Sequence, residues 1–386
     1  MIGGPGGVGS VFPSRVLLMR IVFLTGIWPP DVGGPATHGP EFSRFLVDRG
    51  HEVVVVTMGD GEPDVRPCEV VVVSRSSRFP VRYGRVATIA ARQARTADVI
   101  YATATYAAAS FAATVARTPL AAKLVSDPAY ERARRYNLFA GTLEEFQLPG
   151  SSRVEALKRA RNRALRRARA IVVPSAFLAT IAGHWGLDRA RISVLPNPAP
   201  DLEVVASPVE PGTFVFVGRL TRQKALDDAI TAIGRVPGAR LVVIGDGPDR
   251  DRLERLALTS EAANRIVFRG SLDRTAALAI VAGSEAALLT SAWENFPHSA
   301  VEALAVGVPV VSTAVGGVPE IVRDGVNGLL VPVGDIDAIA GAVARLLGEE
   351  GLRERLAAGS RASVEHLSVA RVYTRLEAVL ESVANA

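Results

Sequence analysis

Cysteine is nearly missing from this chain of 386 residues, which holds one, Cys68. That excludes an internal disulfide framework and any cysteine-based metal cluster, so a reducing, cytoplasmic setting is the default expectation. Cys68, beside a valine run, reads as an inert strand residue. Long apolar runs are lacking too: none reaches the ~18–20 residues of a membrane span. Nor does one sign of charge dominate. The 44 Lys and Arg against 39 Asp and Glu leave a net +5. This is too small to imply nucleic acid by itself, but it suits an anionic ligand or an anionic surface. The interleaving of basic residues with exposed aromatics that a sequence-independent nucleic-acid binder needs is absent. So is the G-x-G-x-x-G fingerprint with an acidic residue at the end of the second strand, which argues against a dehydrogenase. The opening MIGGPGGVGSVFPSRVLL lacks the basic start and sustained apolar stretch of a signal peptide. A natural start at Met19 and a disordered extension over residues 1–18 are expected.

What is present is alternation. Short β-branched runs take turns with Ala- and Arg-rich stretches of helical period, the pattern of parallel sheets with crossover helices. Strands are expected at Ile21–Leu24, Val53–Thr57, Val70–Val73, Val99–Tyr101, Ala121–Val125, Ile171–Val173 and Ile192–Leu195. The segment Pro196-Asn197-Pro198-Ala199-Pro200 can neither continue a strand nor open an ordinary helix, and reads as a linker. Alternation restarts after it, with strands at Phe214–Val217, Leu241–Ile244, Ile266–Phe268, Ala287–Leu289, Pro309–Val311 and Leu329–Val331. The last helical stretch, about Leu352 to Val383, is broken near His366. Two α/β domains follow, 19–198 and 199–365, with 366–386 expected to pack back on the first.

Chemistry concentrates in the second half. In Val217-Gly218-Arg219-Leu220-Thr221-Arg222-Gln223-Lys224 a strand gives way to a helix. Gly218 permits a tight turn, and Arg219 with Lys224 then project from the strand's C-terminal end, where open α/β sheets bind ligands. Two cations near a helix start suit a diphosphate. Ile244-Gly245-Asp246-Gly247-Pro248 is another such turn. The segment Ser291-Ala292-Trp293-Glu294-Asn295-Phe296-Pro297-His298-Ser299 is the richest. A helix starts near Pro297 or His298, with Asn295 a possible cap, and the backbone N–H groups of His298 and Ser299 are free for an anion. Glu294 and Glu302 are too far apart for a glycosidase pair if helix rise alone (~1.5 Å per residue) separates them. Ser312-Thr313-Ala314-Val315-Gly316-Gly317 repeats the strand-then-glycine theme, as a tight turn or as backbone approach to a ligand. In the first half Gly33 and Gly34 follow the first strand, where their backbone could meet a phosphate across a cleft.

Together, in order and spacing, these segments resemble the retaining glycosyltransferases of family 4, built on the GT-B fold of two facing Rossmann-like domains. The resemblance covers nearly all of the chain from Met19. It implies transfer of a hexose-type sugar from a UDP- or GDP-sugar to an acceptor hydroxyl, with retention and without a metal or other cofactor. By position, Arg219 and Lys224 would hold the diphosphate and Glu302 the ribose. Glu294 would hold the donor sugar, with Asn295 and Phe296 beside it. Gly218, Gly245 and the backbone at Arg269 and Gly270 would complete the donor site, the last two at the base. Many relatives carry a histidine after the fifth strand; here Asp127 occupies that region, either orienting a substrate hydroxyl or capping a helix before Pro128. His38 is a weaker candidate for the same work. The acceptor is open: a glycan, a lipid or a small molecule. The stretch Arg153 to Arg169 holds eight Lys or Arg and one acid, a basic amphipathic helix that either covers the core or touches anionic lipid at the inner face of the membrane. Two alternatives keep the fold but change the activity: a nucleotide-sugar 2-epimerase, or a non-catalytic sugar-nucleotide-binding subunit.

Overall fold

The computed structural model of the chain describes residues 18–31, 34–63, 68–201 and 203–386. The extension expected over residues 1–18 falls, but for Leu18, outside the described residues, as does Gly33.

The first half supplies β1 (Arg20–Leu24), β2 (Glu52–Met58), β3 (Glu69–Val73), β4 (Val99–Ala102), β5 (Leu120–Lys123), β6 (Ala168–Val173) and β7 (Ile192–Val194). Its helices are α1 (Gly34–Asp48), α2 (Phe79–Ala94), α3 (Tyr106–Ala116), α4 (Pro128–Arg135), α5 (Ser152–Leu165) and α6 (Ala176–Gly183). The second half supplies β8 (Thr213–Val217), β9 (Arg240–Ile244), β10 (Ile266–Gly270), β11 (Ala287–Leu289), β12 (Val310–Thr313) and β13 (Gly328–Val331). With them come α7 (Leu226–Arg235), α8 (Arg250–Thr259), α9 (Arg274–Gly283), α10 (His298–Ala305), α11 (Ile336–Gly348), α12 (Leu352–Val364) and α13 (Val369–Asn385).

Two parallel sheets result, ordered β3-β2-β1-β4-β5-β6-β7 and β10-β9-β8-β11-β12-β13. Helices cover both faces of each, so strands such as Val53–Val56 are buried throughout and are written as valine runs rather than as alternating patterns. In each sheet the strand order reverses once, between β1 and β4 and between β8 and β11. Loops leaving the C-terminal ends of such neighbours diverge and open a crevice. The loop after β8 carries Gly218 to Lys224 and the loop after β11 carries Ser291 to Pro297. The two richest sequence segments therefore flank one switch point.

The chain's end returns to its start. Val372, Tyr373, Leu376, Leu380 and Val383 of α13 recur at helical spacing and are buried with Met19, Ile21 and Phe23 of the first sheet. The Pro196–Pro200 segment is packed as well: the Ala199 N–H donates to the Leu367 carbonyl at 2.8 Å. On the apolar side of α13 sits Glu377, 2% exposed. Its Oε1 accepts from Arg49 Nε at 2.7 Å and from His51 Nε2 at 2.8 Å. His51 in turn accepts the Met19 N–H on Nδ1 at 3.1 Å, so the imidazole is the neutral Nε2–H tautomer. Replacing Glu377 by alanine orphans a buried imidazole N–H and should cost roughly 2–4 kcal/mol of unfolding free energy. E377Q, which still presents an acceptor, should cost about half as much or less. Urea unfolding of the three chains measures the difference.

Candidate functional site

Glu294 is the centre of the crevice in the second half. Its residue is 8% exposed, and a carboxylate so removed from water stays ionised only with a partner. Lys224 is that partner: Nζ donates to Glu294 Oε1 at 2.5 Å, while Ser291 Oγ donates to the same oxygen at 2.8 Å. The pair joins the loop after β8 to the loop after β11. Gln223 reinforces the junction by donating to the Trp293 carbonyl at 3.0 Å. Arg219, in the same loop after β8, is exposed and makes no ion pair among the described residues.

The glycines of these segments serve loop-on-loop packing. A Cβ at Gly245, whose φ is +132°, would lie 1.9 Å from the Gly218 carbonyl oxygen, and one at Gly247 would lie 2.3 Å from that of Leu220. Gly316 and Gly317 do the same under the acidic loop: a Cβ on either would sit 1.8 Å from the carbonyl oxygen of Glu294 or Asn295. Neither a tight turn nor direct ligand approach is what most constrains this pair; the support of the Glu294 loop is. Gly218 differs from the expectation, since its φ is outside the left-handed region and a Cβ there would meet only ordinary contacts.

At α10 the N-cap is Pro297, with no side-chain cap. The backbone N–H groups of its first turn, His298 and Ser299 included, lack intrahelical partners. Asn295 is not the cap. Its Nδ2 crosses to the first half and donates to the Val125 carbonyl at 2.9 Å, while its Oδ1 is buried without a partner among the described residues. Phe296 is buried in the core beneath the loop. Arg269 and Gly270 end the edge strand β10, and the Gly270 carbonyl accepts the Gly245 N–H at 2.8 Å. Across the crevice Gly34 opens α1.

Glu302 does not stand free. Its Oε1 accepts from Arg274 Nε at 2.8 Å, and Arg274 reaches over to Glu41 of α1, also at 2.8 Å. Beside this bridge the His38 and His298 rings stack at 4.4 Å, with Nε2 of the first 3.0 Å from Nδ1 of the second. Asn197 Nδ2 lies 3.4 Å from His298 Nε2, and His38 Nδ1 lies 3.4 Å from Tyr373 Oη. One pair of tautomers satisfies all of these contacts at once. Asn197 donates to His298, His298 donates to His38 through Nδ1–H, and His38 donates to Tyr373, whose hydroxyl donates to Glu41 at 3.2 Å. Burial holds His38 below its usual range, and burial with the neighbouring His38, Lys123 and Arg274 holds His298 well below it. His38 is therefore a residue of the boundary between the domains. Glu320 adds another crossing, accepting the N–H groups of Ala176 and Phe177 at 2.8 Å each.

Asp127 requires a correction. It is 0% exposed. One oxygen caps α4, accepting from Ala129 N at 2.8 Å and Tyr130 N at 3.3 Å, and the other meets the buried Arg161 guanidinium. Its acceptor capacity is spent inside the domain, so it orients helix α4 and not a substrate hydroxyl. Arg161 thereby leaves the basic face of α5, as does Lys158, which donates to the Leu148 carbonyl at 2.6 Å and to Glu155 at 2.7 Å.

Two residues escaped the sequence reading. Thr105 follows β4 at the first sheet's switch point with a left-handed φ of 50° and a buried, unpartnered hydroxyl. Lys123, at the end of β5, is 6% exposed. A lysine closing an otherwise apolar strand was the signal available for the second.

Comparison with known proteins places the chain. The model of the glycosyl transferases group 1 matches residues 201–363 and that of glycosyltransferase family 4 matches residues 32–201. The 2-deoxystreptamine N-acetyl-D-glucosaminyltransferase of Streptomyces fradiae is 31% identical over 81% of this chain and 82% of its own. A D-inositol 3-phosphate glycosyltransferase of Mycobacterium marinum is 36% identical over 50% of this chain, a match spanning 45% of that enzyme. Among solved structures, the sucrose-phosphate synthase of Thermosynechococcus elongatus superposes with a TM-score of 0.79 over 94% of this chain and 98% of its own, at 20% identity. Anabaena HepE, in complex with UDP-glucose, does so with a TM-score of 0.76 over 94% and 100%, also at 20% identity.

The histidine pair sets a pH dependence. Both folded pKa values are depressed, so below the ordinary value of 6.5 the unfolded chain binds protons that the folded chain excludes. The pair's contribution is full above 6.5 and is lost as pH falls. Chemical unfolding at pH 7.5 and at pH 5.5 should show a loss of stability that shrinks in H38N.

Proposed function

The chain belongs to the family 4, group 1 glycosyltransferases, and from that premise we propose that it moves a hexose-type sugar from a UDP-sugar to an acceptor hydroxyl, retaining anomeric configuration and using no metal. The observation that carries the reading is the Lys224–Glu294–Ser291 cluster at the switch point of the second sheet, with Arg219 in the same loop as Lys224 and the acidic loop leading into the uncapped start of α10. A nucleoside diphosphate gains negative charge as the bond to the sugar breaks. Fixed cations and helix N–H groups stabilise that charge without reorganising, which is the work a metal does elsewhere. In the proposed step the C1–O bond to the phosphate breaks, C1 bonds to the acceptor oxygen on the same face, and the hydroxyl proton passes to the departing phosphate. Asp127, buried, takes no part. Glu294 holds sugar hydroxyls through the oxygen that Lys224 leaves free, and Glu302 meets the ribose after Arg274 releases it. UDP is preferred over GDP in this reading because HepE binds UDP-glucose; the acceptor class stays open among glycan, lipid and small molecule.

A cytoplasmic enzyme at the inner face of the membrane fits the first domain's surface. No helix among the described residues is long and apolar enough to cross a bilayer. Arg153, Arg159 and Arg163 of α5 are exposed, and α3, which packs against α5, exposes Phe111 and Val115. Cations with an apolar anchor suit anionic lipid.

Thermal-shift titration with UDP-, GDP- and ADP-sugars should raise the melting temperature most with a UDP-sugar, because a ligand of the folded state stabilises it by mass action. Lys224→Met and Glu294→Gln should each lower kcat about 10²- to 10³-fold with the fold intact, and EDTA should leave wild-type activity unchanged. Full turnover in both variants would refute the site, and an epimer formed from donor alone would favour the epimerase. Replacing Arg159 and Arg163 by glutamate should abolish sedimentation with anionic vesicles at low salt; unchanged binding would remove the membrane reading.

A further inference from the structure

Lys123 is a buried cation without a counter-ion among the described residues. Strand pleating puts its side chain on the face that Ala121 shares with Tyr101 and α1, at the C-terminal edge of the first sheet. It is 6% exposed, and its ammonium enters no hydrogen bond or ion pair among the described residues. The other cations near it are different. Lys224 rests on Glu294, and Arg274 is shared by Glu41 and Glu302. Two residues on, the Val125 carbonyl accepts from Asn295 of the second domain at 2.9 Å, so the end of β5 borders the loop that leads into α10, and the charge of Lys123 is felt at both His38 and His298. Both imidazoles are neutral there and offer it no compensation. An ammonium out of water costs several kcal/mol unless paired, and burial holds this one down to about 8. A ligand bearing negative charge supplies what the protein withholds.

We propose that Lys123 is an anion-binding residue of the cleft, which meets the donor's diphosphate from the first domain, opposite Lys224, Arg219 and the first turn of α10. The inference rests on the donor reading above and adds to it a cation from the other domain. A neutral acceptor hydroxyl would leave the ammonium uncompensated; a departing diphosphate would not. Since Lys123 and α10 belong to different domains, this charge is complete only where the two meet, which ties leaving-group stabilisation to closure.

Calorimetric titration with UDP, uridine and inorganic pyrophosphate tests this on the full chain. Lys123→Met should weaken UDP about ten- to hundredfold and leave uridine unchanged. Lys123→Arg should restore most of the UDP affinity. Because a buried unpaired charge is removed, the ligand-free melting temperature of Lys123→Met should not fall. In wild type, UDP affinity should drop as pH rises through about 8. Across that window the facing His38 and His298 are neutral and Glu41 is ionised. Arg274 and Lys224 act on His298 as well, so the drop is compared with Lys123→Arg, in which it should flatten. UDP affinity in Lys123→Met equal to wild type, or a defect confined to the KM of the acceptor, overturns this proposal and leaves the donor reading standing. A wild-type chain that binds neither UDP nor pyrophosphate overturns both.

Discussion

A carboxylate taken out of water at the end of a parallel strand needs a cation, and at Glu294 that need organises the second domain's site. Coulomb attraction at 2.5 Å in a poorly solvated crevice outweighs what either side chain would gain alone, but only if both loops are held in place. The loops diverge from neighbouring strands across a switch point, so the pair also bridges the opening where a ligand would enter. Ser291 donates to the same carboxylate oxygen as Lys224 and limits the ways the group can rotate, leaving the second oxygen toward the opening.

Backbone packing fixes those loops. Gly245 and Gly247 let one turn rest on the Gly218–Leu220 turn, and Gly316 with Gly317 lets another rest on the Glu294 and Asn295 carbonyls. Contacts this close leave no room for a Cβ, so the glycines set where the charged side chains begin. The acidic loop then extends its influence to the other domain through Asn295 on the Val125 carbonyl and through Trp293, whose ring packs edge-on to Tyr130 at 5.4 Å.

The sheets were legible because burial on both faces demands runs such as Val53–Val56 and Phe214–Val217, and each expected strand is present within a few residues. The Lys224–Glu294 segments were legible because a strand end followed by glycine and charge is an uncommon local pattern. Asp127 was not. Its capping was readable from Pro128, but its second partner, Arg161, stands 34 residues away on a helix whose basic residues look alike in sequence. The setting of His38, and Lys123 altogether, were hidden for a related reason. What defines them is the opposite domain, 260 residues distant in the His38–His298 contact, and no local period reports such a neighbour.

Apart from Trp293 on Tyr130, the crossings described between the domains are polar, which bears on how the enzyme turns over. Arg274 to Glu41, His38 to His298, Glu320 to the start of α6 and Asn295 to Val125 are all hydrogen bonds or ion pairs. Apolar interfaces of similar extent would hold the domains shut, because burying carbon is stabilising whatever enters the cleft. Polar crossings are nearly neutral in net free energy, so a ligand with modest preference for one arrangement can move the equilibrium between open and closed. Arg274 is the clearest case. It occupies Glu302 and Glu41 at once, and any group that takes Glu302 leaves Arg274 with a single carboxylate and weakens the bridge. Under the donor reading, filling the ribose position therefore loosens one crossing while the diphosphate strengthens another near α10. The exchange lets substrate reset the contacts between the domains without either domain having to unfold its own core.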